Sequence, residues 1–155
     1  MNLEEALLQY CELREEVKDI RARIEADGRR LARIEADGQV SDTVTGTRGD
    51  GTIGPIKITG FPVLEYDTVK AMLKRRIAKL HILEEELQEA LNQVDDFINA
   101  IPKSDVRTLF RLYYLDDCNW IQVARIMNKK FPKRNYTADS CRMKHNRYLE
   151  KIEEN

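Results

Sequence analysis

The chain has 155 residues, a net charge of −1 and a charged fraction of 34%. This composition excludes a membrane-embedded protein, and no run of apolar residues approaches the length that crosses a bilayer. The N-terminus is amphipathic and acidic, which does not fit a secretory signal. Cys11, Cys118 and Cys141 lie far apart, without metal-ligand or pairable spacing. We therefore expect reduced thiols in a cytoplasmic protein.

The first predicted element is a long amphipathic helix. Its apolar residues alternate between steps of three and four, which is the spacing of a coiled-coil seam. The residues in this register are Leu3, Ala6, Tyr10, Leu13, Val17, Ile20, Ile24, Leu31 and Ile34. Asp27 takes one position of the same stripe. The helix either continues through Gly28 or ends there, and Gly38 is the stronger signal for its C-terminal end.

The connection from Gln39 to Glu65 (residues 39–65) is rich in Gly and Pro. Two β-leaning pieces, Val40 to Val44 and Ile56 to Gly60, flank a Gly-rich turn. This pattern predicts a β-hairpin, with a mobile loop as the alternative.

A second long helix is predicted from Tyr66 to Ala100, and Pro102 marks its exit. Two helices of similar length joined by a compact connection favour an antiparallel αα-hairpin. Because such a hairpin buries little apolar surface by itself, we expect a second copy of the chain to complete the seam. Residues 1–100 are thus predicted to be an oligomerisation region.

Residues 101–155 predict three short helices. The first runs from Val106 to Asp116, and Asn119 is a good N-cap for the second. The apolar face of the second helix is predicted to be Trp120, Ile121, Ala124, Ile126 and Met127. A basic loop then leads to Thr137, whose hydroxyl can cap the third helix.

Charge is sorted along the chain. Residues 1–99 carry 14 basic and 20 acidic residues, whereas residues 100–155 carry 12 basic and 7 acidic residues. Between residues 123 and 151 nine basic residues face only Asp139 and Glu150. Such an excess of positive charge indicates contact with nucleic-acid phosphates.

The third helix has two unlike faces. We expect an inner face of Cys141, His145, Tyr148, Leu149 and Ile152. The outer face offers donors, acceptors and a thioether of the kind that reads base edges. With the basic loop, the candidate DNA-binding residues are Lys129, Lys130, Lys133, Arg134, Thr137, Asp139, Ser140, Arg142, Met143, Lys144, Asn146 and Arg147.

Other chemistry has little support in the sequence. No set of nucleophile, base and orienting residue is present, so we expect no enzyme activity. His145 fits a hydrogen-bonded core histidine, since a metal site needs companion ligands, and no cofactor or metal is predicted. Trp120, Tyr113 and Tyr114 fit helix packing. Phe131 and Tyr136 either anchor the basic loop or lie against sugar and phosphate.

The segment LFRLYYLDDCNWIQVARIMN, followed by TADSCRMKHNRYLEKI, resembles sigma-factor region four and the helix-turn-helix domains built on it. The family's closing tail corresponds here to Arg147, Leu149, Lys151 and Ile152. The glycine-rich middle segment and the flanking long helices are similar to phage late-gene transcription regulators of the RinA and ArpU type. The connection of residues 129–136 is longer than the three- to four-residue turn of the helix-turn-helix.

The resemblance implies a mainly α protein with a C-terminal three-helix helix-turn-helix domain. It implies a phage or prophage regulator that binds promoter DNA in the host cytoplasm, with RNA polymerase as a further candidate partner. By this carry-over, Thr137 caps the recognition helix, and Ser140 and Arg142 face bases or phosphates. We expect a sequence-specific homodimer joined through the N-terminal helices. A small terminase-like DNA-packaging subunit, which would form a large ring, and a protein adaptor are the alternatives.

Overall fold

The computed structural model of the chain describes residues 1–37, 40–47, 49–60 and 63–154. The fold is mainly helical with one two-stranded sheet, as the sequence predicts. In chain order the elements are α1 (Leu3–Asp37), β1 (Val40–Thr47), β2 (Ile53–Gly60), α2 (Val63–Asn99), α3 (Ser104–Phe110), a π-helical turn (Arg111–Leu115), α4 (Trp120–Lys130) and α5 (Ala138–Glu153). None of the helices within these ranges contains a stretch long and apolar enough to span a bilayer.

The chain divides into two compact units, and both long helices contribute to each of them. Residues 15–84 form one, here named the hairpin unit, and residues 1–14 with 85–155 form the other, here named the C-terminal unit. The first turns of α1 and the last turns of α2 thus belong with the three short helices. The sequence places a boundary near residue 100, and that boundary stays a prediction.

Within the hairpin unit α1 and α2 run antiparallel. Polar contacts link them in reverse order along the two helices: Arg21 with Glu84 (2.8 Å), Arg30 with Glu65 (2.9 Å) and Glu35 with Tyr66 (3.1 Å). The predicted apolar stripe of α1 lies inside, since Val17 and Ile34 are buried. On α2, Val69 is buried, whereas Ile77 is 39% exposed.

Asp27 occupies a buried position of this seam. It is 8% exposed and forms an ion pair with Arg76 of α2. A single polar pair among apolar seam residues is known to specify helix register at some cost in stability. The helix continues through Gly28, where a Cβ would meet no atom within 4 Å, and it ends at Asp37. Gly38, the predicted stop, lies outside the described residues.

The glycine-rich connection contains the predicted β-hairpin. β1 and β2 pair antiparallel from Val40 opposite Gly60 to Thr47 opposite Ile53. In the turn, the Asp50 carboxylate accepts hydrogen bonds from the Thr52 amide (3.0 Å) and hydroxyl (2.6 Å). Gly51 has a φ of +85°, which favours glycine. Each strand is three residues longer than predicted at the end next to the turn, since β1 continues to Thr47 and β2 begins at Ile53.

The C-terminal unit has an apolar core to which all its helices contribute. Its largest fully buried side chains are Phe110, Ile98, Ile101, Leu109, Met127, Val94, Val123 and Cys141. Leu3, Ala6, Leu7 and Tyr10 of α1 pack into the same core. The short helices therefore rest on the ends of the two long ones.

The first short helix begins as α3 and finishes as a π-helical turn. The Asp116 amide donates to the Arg111 carbonyl (3.0 Å), and the Cys118 amide donates to the Leu112 carbonyl (3.0 Å). Arg14 of α1 holds this end: its guanidinium donates to the Tyr114 carbonyl at 2.7 Å and to the Asp117 carboxylate at 3.0 Å. The sequence predicts the helix over this range but not the change in its winding.

Candidate functional site

Two capping boxes define where α4 and α5 begin. The Asn119 side chain accepts from the Gln122 amide (2.9 Å), and the Gln122 side chain accepts from the Asn119 amide (3.0 Å). Thr137 and Ser140 form the same reciprocal pair at the start of α5, at 3.1 Å and 2.8 Å. Such boxes satisfy amides that the helix itself leaves unpaired. Both predicted N-caps, Asn119 and Thr137, are confirmed.

The two faces of α5 differ as the sequence predicts. On the inner face Cys141 and His145 are buried, while Tyr148, Leu149 and Ile152 are half-buried against the core. The outer residues Asp139, Ser140, Arg142, Met143, Asn146 and Arg147 are all exposed. Arg142 and Asp139 form a weak surface ion pair at 3.5 Å. The Ser140 hydroxyl donates to the Thr137 carbonyl at 3.0 Å, so its proton is used within the cap.

His145 connects the core to the outer face of α5. Its Nδ1 lies 2.8 Å from the Asn146 Oδ1, which can only accept, so Nδ1 carries the proton. Its Nε2 then accepts from the Tyr114 hydroxyl at 2.6 Å. Burial lowers the pKa of His145, and the ring stacks on Phe110 with centroids 5.1 Å apart. The prediction of a hydrogen-bonded core histidine is confirmed.

The buried face of α4 differs from the predicted one. Val123, Ala124 and Met127 are buried, but Ile121 is 65% exposed. The prediction for Ile121 is wrong because the stripe follows positions 120, 123, 124 and 127, and position 121 is turned away from it. Trp120 packs as predicted, with its ring stacked on Tyr113 at 4.0 Å between centroids.

The basic loop between α4 and α5 covers residues 131–137 and is held at both ends. It begins two residues later than predicted, because α4 continues through Lys129 and Lys130, and lysine is a good helix former. Asn128 makes a reciprocal pair with the backbone of Tyr136: its amide donates to the carbonyl at 2.9 Å, and its Oδ1 accepts from the N–H at 2.7 Å. Tyr136 is buried, and its ring meets Phe131 edge-on with centroids 6.4 Å apart. The two aromatic residues thus anchor the loop to the bundle, which was one of the two predicted roles.

A buried carboxylate organises the cations around this loop. Asp105, at the start of α3, is 7% exposed and receives Arg134 at 2.6 Å and the Lys144 ammonium. The Tyr136 hydroxyl donates to the same oxygen at 3.4 Å. Burial by itself would raise the pKa of Asp105, but the hydrogen bond and charge of Lys144, the Val106 amide and the charge of Arg134 hold it below its ordinary value of 3.8.

The structure therefore divides the five cationic candidate residues outside the outer face of α5 into two groups. Arg134 and Lys144 are paired with Asp105 and help to join α3, the loop and α5. Lys129, Lys130 and Lys133 are exposed, and no carboxylate in the described ranges forms an ion pair with them. Asp105 and Asn128, which organise the site, were not among the candidate residues. Their helix positions carry no sequence signal of this role.

One of two neighbouring grooves adjoins the outer face of α5, and the other meets α5 only at Lys144. The first, of about 720 Å³, lies between the start of α3 and α5, and it is lined by five cations and no carboxylate. Its cationic residues are Lys103, Arg134, Lys144, Arg147 and Lys151. The second, of about 630 Å³, lies between the start of α3 and the basic loop, and it has five cations and Asp105. Each groove is thus suited to an anion.

Within the described residues no cluster of three or more His, Cys, Asp or Glu side chains is arranged to hold a metal ion. The arrangement can bind anions through exposed lysines and can present arginine and amide donors on a helix. No family model matches the chain, and neither a curated protein nor a solved structure is significantly similar to it. The resemblance given above therefore depends on the residues alone.

Proposed function

We propose that the chain is a sequence-specific DNA-binding transcription regulator of the phage late-gene type, in which α4 and α5 act as a helix-turn-helix pair. One observation carries the proposal. The outer face of α5 is exposed and rich in hydrogen-bond donors, its inner face is packed, and the groove that adjoins the outer face is lined by five cations and no carboxylate. A rigid helix beside concentrated positive charge is what duplex DNA recognition requires.

The residue types on α5 suit the major groove, which admits an α-helix. Arg142 and Arg147 can form bidentate hydrogen bonds with guanine, and Asn146 can contact adenine. Met143, 47% exposed, offers an apolar contact for a thymine methyl group. Lys129 and Lys130 at the end of α4 and Lys133 on the loop would contact phosphates and supply affinity rather than sequence choice.

The proposal includes a homodimer. The α1 stripe and the Asp27–Arg76 pair join helices of the same chain. The homodimer is supported instead by the large apolar side chains that α2 leaves exposed, Met72, Ile77 and Ile82. A dimer would present two copies of α5 to paired half-sites whose spacing follows the dimer geometry. Contact with RNA polymerase in a host cytoplasm belongs to the same proposal and is supported by the resemblance only.

The proposed function is tested by selecting bound duplexes from a random DNA pool with the purified protein, while light scattering records its mass. Enrichment of a paired or repeated motif by a dimer is the expected result. Retained salt-sensitive binding without an enriched motif would remove sequence specificity from the proposal. A large ring would instead favour the DNA-packaging alternative, and no binding at low salt would favour a protein adaptor.

Replacing Arg142 or Arg147 with alanine should weaken binding to the selected sequence by about 1 to 3 kcal/mol for each arginine that reads a base. Binding to unrelated DNA should change far less, because nonspecific affinity comes from phosphates. Titration of both DNAs with each variant gives the comparison. Arg75→Ala, which removes the same charge from an exposed position of the hairpin unit, is the matched control. Equal weakening on both DNAs would show that these arginines do not read bases.

A further inference from the structure

The second groove joins two segments that are distant in the sequence. The groove is lined by Lys103 and Ser104 at the start of α3, by Lys130 at the end of α4, by Lys133 and Arg134 of the basic loop, and by Lys144 of α5. We propose that this groove is a binding site for a phosphate group of the DNA backbone, and that Lys103 is one of its ligands. This inference rests on the proposed function.

Asp105 does not neutralise the groove. One of its oxygens is occupied by Arg134, Lys144 and the Tyr136 hydroxyl, and the other accepts from the Val106 amide at 3.0 Å. The carboxylate is therefore committed to the bundle interior. The remaining charge belongs to Lys103, Lys130 and Lys133, which are exposed and make no ion pair within the described ranges. These are the cations that an incoming phosphate would meet.

Hydrogen bonds to the backbone just before Lys103 fix the position of this residue. The Arg107 guanidinium donates to the carbonyls of Ile101 and Pro102, the latter at 3.2 Å, and so fixes the segment that precedes α3. Lys103 is the N-cap residue of α3, but its side chain makes no capping hydrogen bond. Its ammonium group is thus available to the groove, while its removal leaves the helix start intact.

The two grooves share three lining residues. Lys103, Arg134 and Lys144 line both of them. A phosphate bound by Lys103, Lys130 and Lys133 in the second groove would therefore lie beside the first groove. That groove borders Met143 and Arg147 on α5. This adjacency would connect backbone binding in the second groove with base contacts on α5. It also explains a connection of residues 131–137 that exceeds the usual helix-turn-helix turn, since the added length carries Lys133 to the groove.

The test is the salt dependence of duplex DNA binding for Lys103→Ala/Lys133→Ala against the wild-type chain. Each phosphate contact contributes about 0.9 to the slope of log affinity against log salt, so the double variant, which loses one phosphate contact, should lose about 0.9 from that slope. Lys74→Ala/Lys79→Ala, on exposed positions of α2, removes the same charge and should keep the wild-type slope. Trp120 fluorescence checks that each variant is folded.

If the Lys103/Lys133 variant still binds DNA with the wild-type slope, the second groove does not bind a DNA phosphate. The proposed function would then still stand. A second arm measures the melting temperature with inorganic phosphate against chloride at equal ionic strength. If the wild type binds no duplex DNA but phosphate stabilises it through Lys103 and Lys133, the groove is a site for free phosphate and the proposed function fails. If the wild-type chain neither binds duplex DNA nor is stabilised by phosphate, both the groove site and the proposed function fail.

Discussion

Replacing Phe110 with alanine is expected to destabilise the C-terminal unit by about 3 to 5 kcal/mol, the range for a large aromatic residue removed from a tight core. Phe110 is fully buried, and its ring lies 5.1 Å from His145, 5.5 Å from Tyr148 and 5.8 Å from Tyr114 between centroids. The cavity would thus remove the inner support of α5. We expect DNA affinity to fall with stability, because α5 would no longer be held in one position.

Denaturant unfolding followed by Trp120 fluorescence measures this effect. Trp120 is the single tryptophan of the chain and lies in the C-terminal unit, stacked on Tyr113. Ile121→Ala is the control, because this side chain follows Trp120 in the sequence and is exposed. It should change the free energy of unfolding by less than about 0.5 kcal/mol. A decrease below about 1 kcal/mol in Phe110→Ala would contradict the central position of this ring in the core.

Asp105→Asn should destabilise the same unit by about 2 kcal/mol, since hydrogen bonds to a charged group contribute about 1.5 to 3 kcal/mol. The substitution keeps the shape of the side chain but removes the charge that Arg134 and Lys144 share. Both cations are partly exposed and can turn to solvent, which limits the destabilisation. Asp139→Asn is the matched control, because this carboxylate on α5 is 85% exposed and its ion pair is long.

The effect of Asp105 should depend on pH. Because its pKa is lower in the folded chain than its ordinary value of 3.8, the unfolded chain takes up the proton first as the pH falls. The contribution of Asp105 is therefore complete above pH about 4 and declines below it. Unfolding curves for the wild type and Asp105→Asn should converge in acid. A constant difference down to pH about 2 would show that the charge of Asp105 does not stabilise the unit.

Much of the local structure follows from the sequence. The helical stripe of α1, the β-hairpin around Asp50 and the caps Asn119 and Thr137 depend on residues close together in the chain, so local patterns predict them. The inner face of α5, with Cys141 and His145, follows from helical periodicity in the same way. Ile121 shows the limit of such patterns: periodicity indicates an apolar face, but the partner helices decide which residues at its edge are covered.

Longer-range contacts were decided by the tertiary structure. Arg14 holds the π-helical turn across 100 residues of sequence, and Asp105 meets Lys144 across 39. A count of charges along the sequence assigns Arg134, Lys144 and Lys129 to one basic surface. In the fold, the buried Asp105 carboxylate pairs with Arg134 and Lys144 and not with Lys129. The sequence by itself determined the helices, the hairpin and the excess of positive charge near the C-terminus. The fold decided which cations stabilise the bundle and which remain exposed, because ion pairs and buried contacts depend on distances in space that local sequence patterns do not contain.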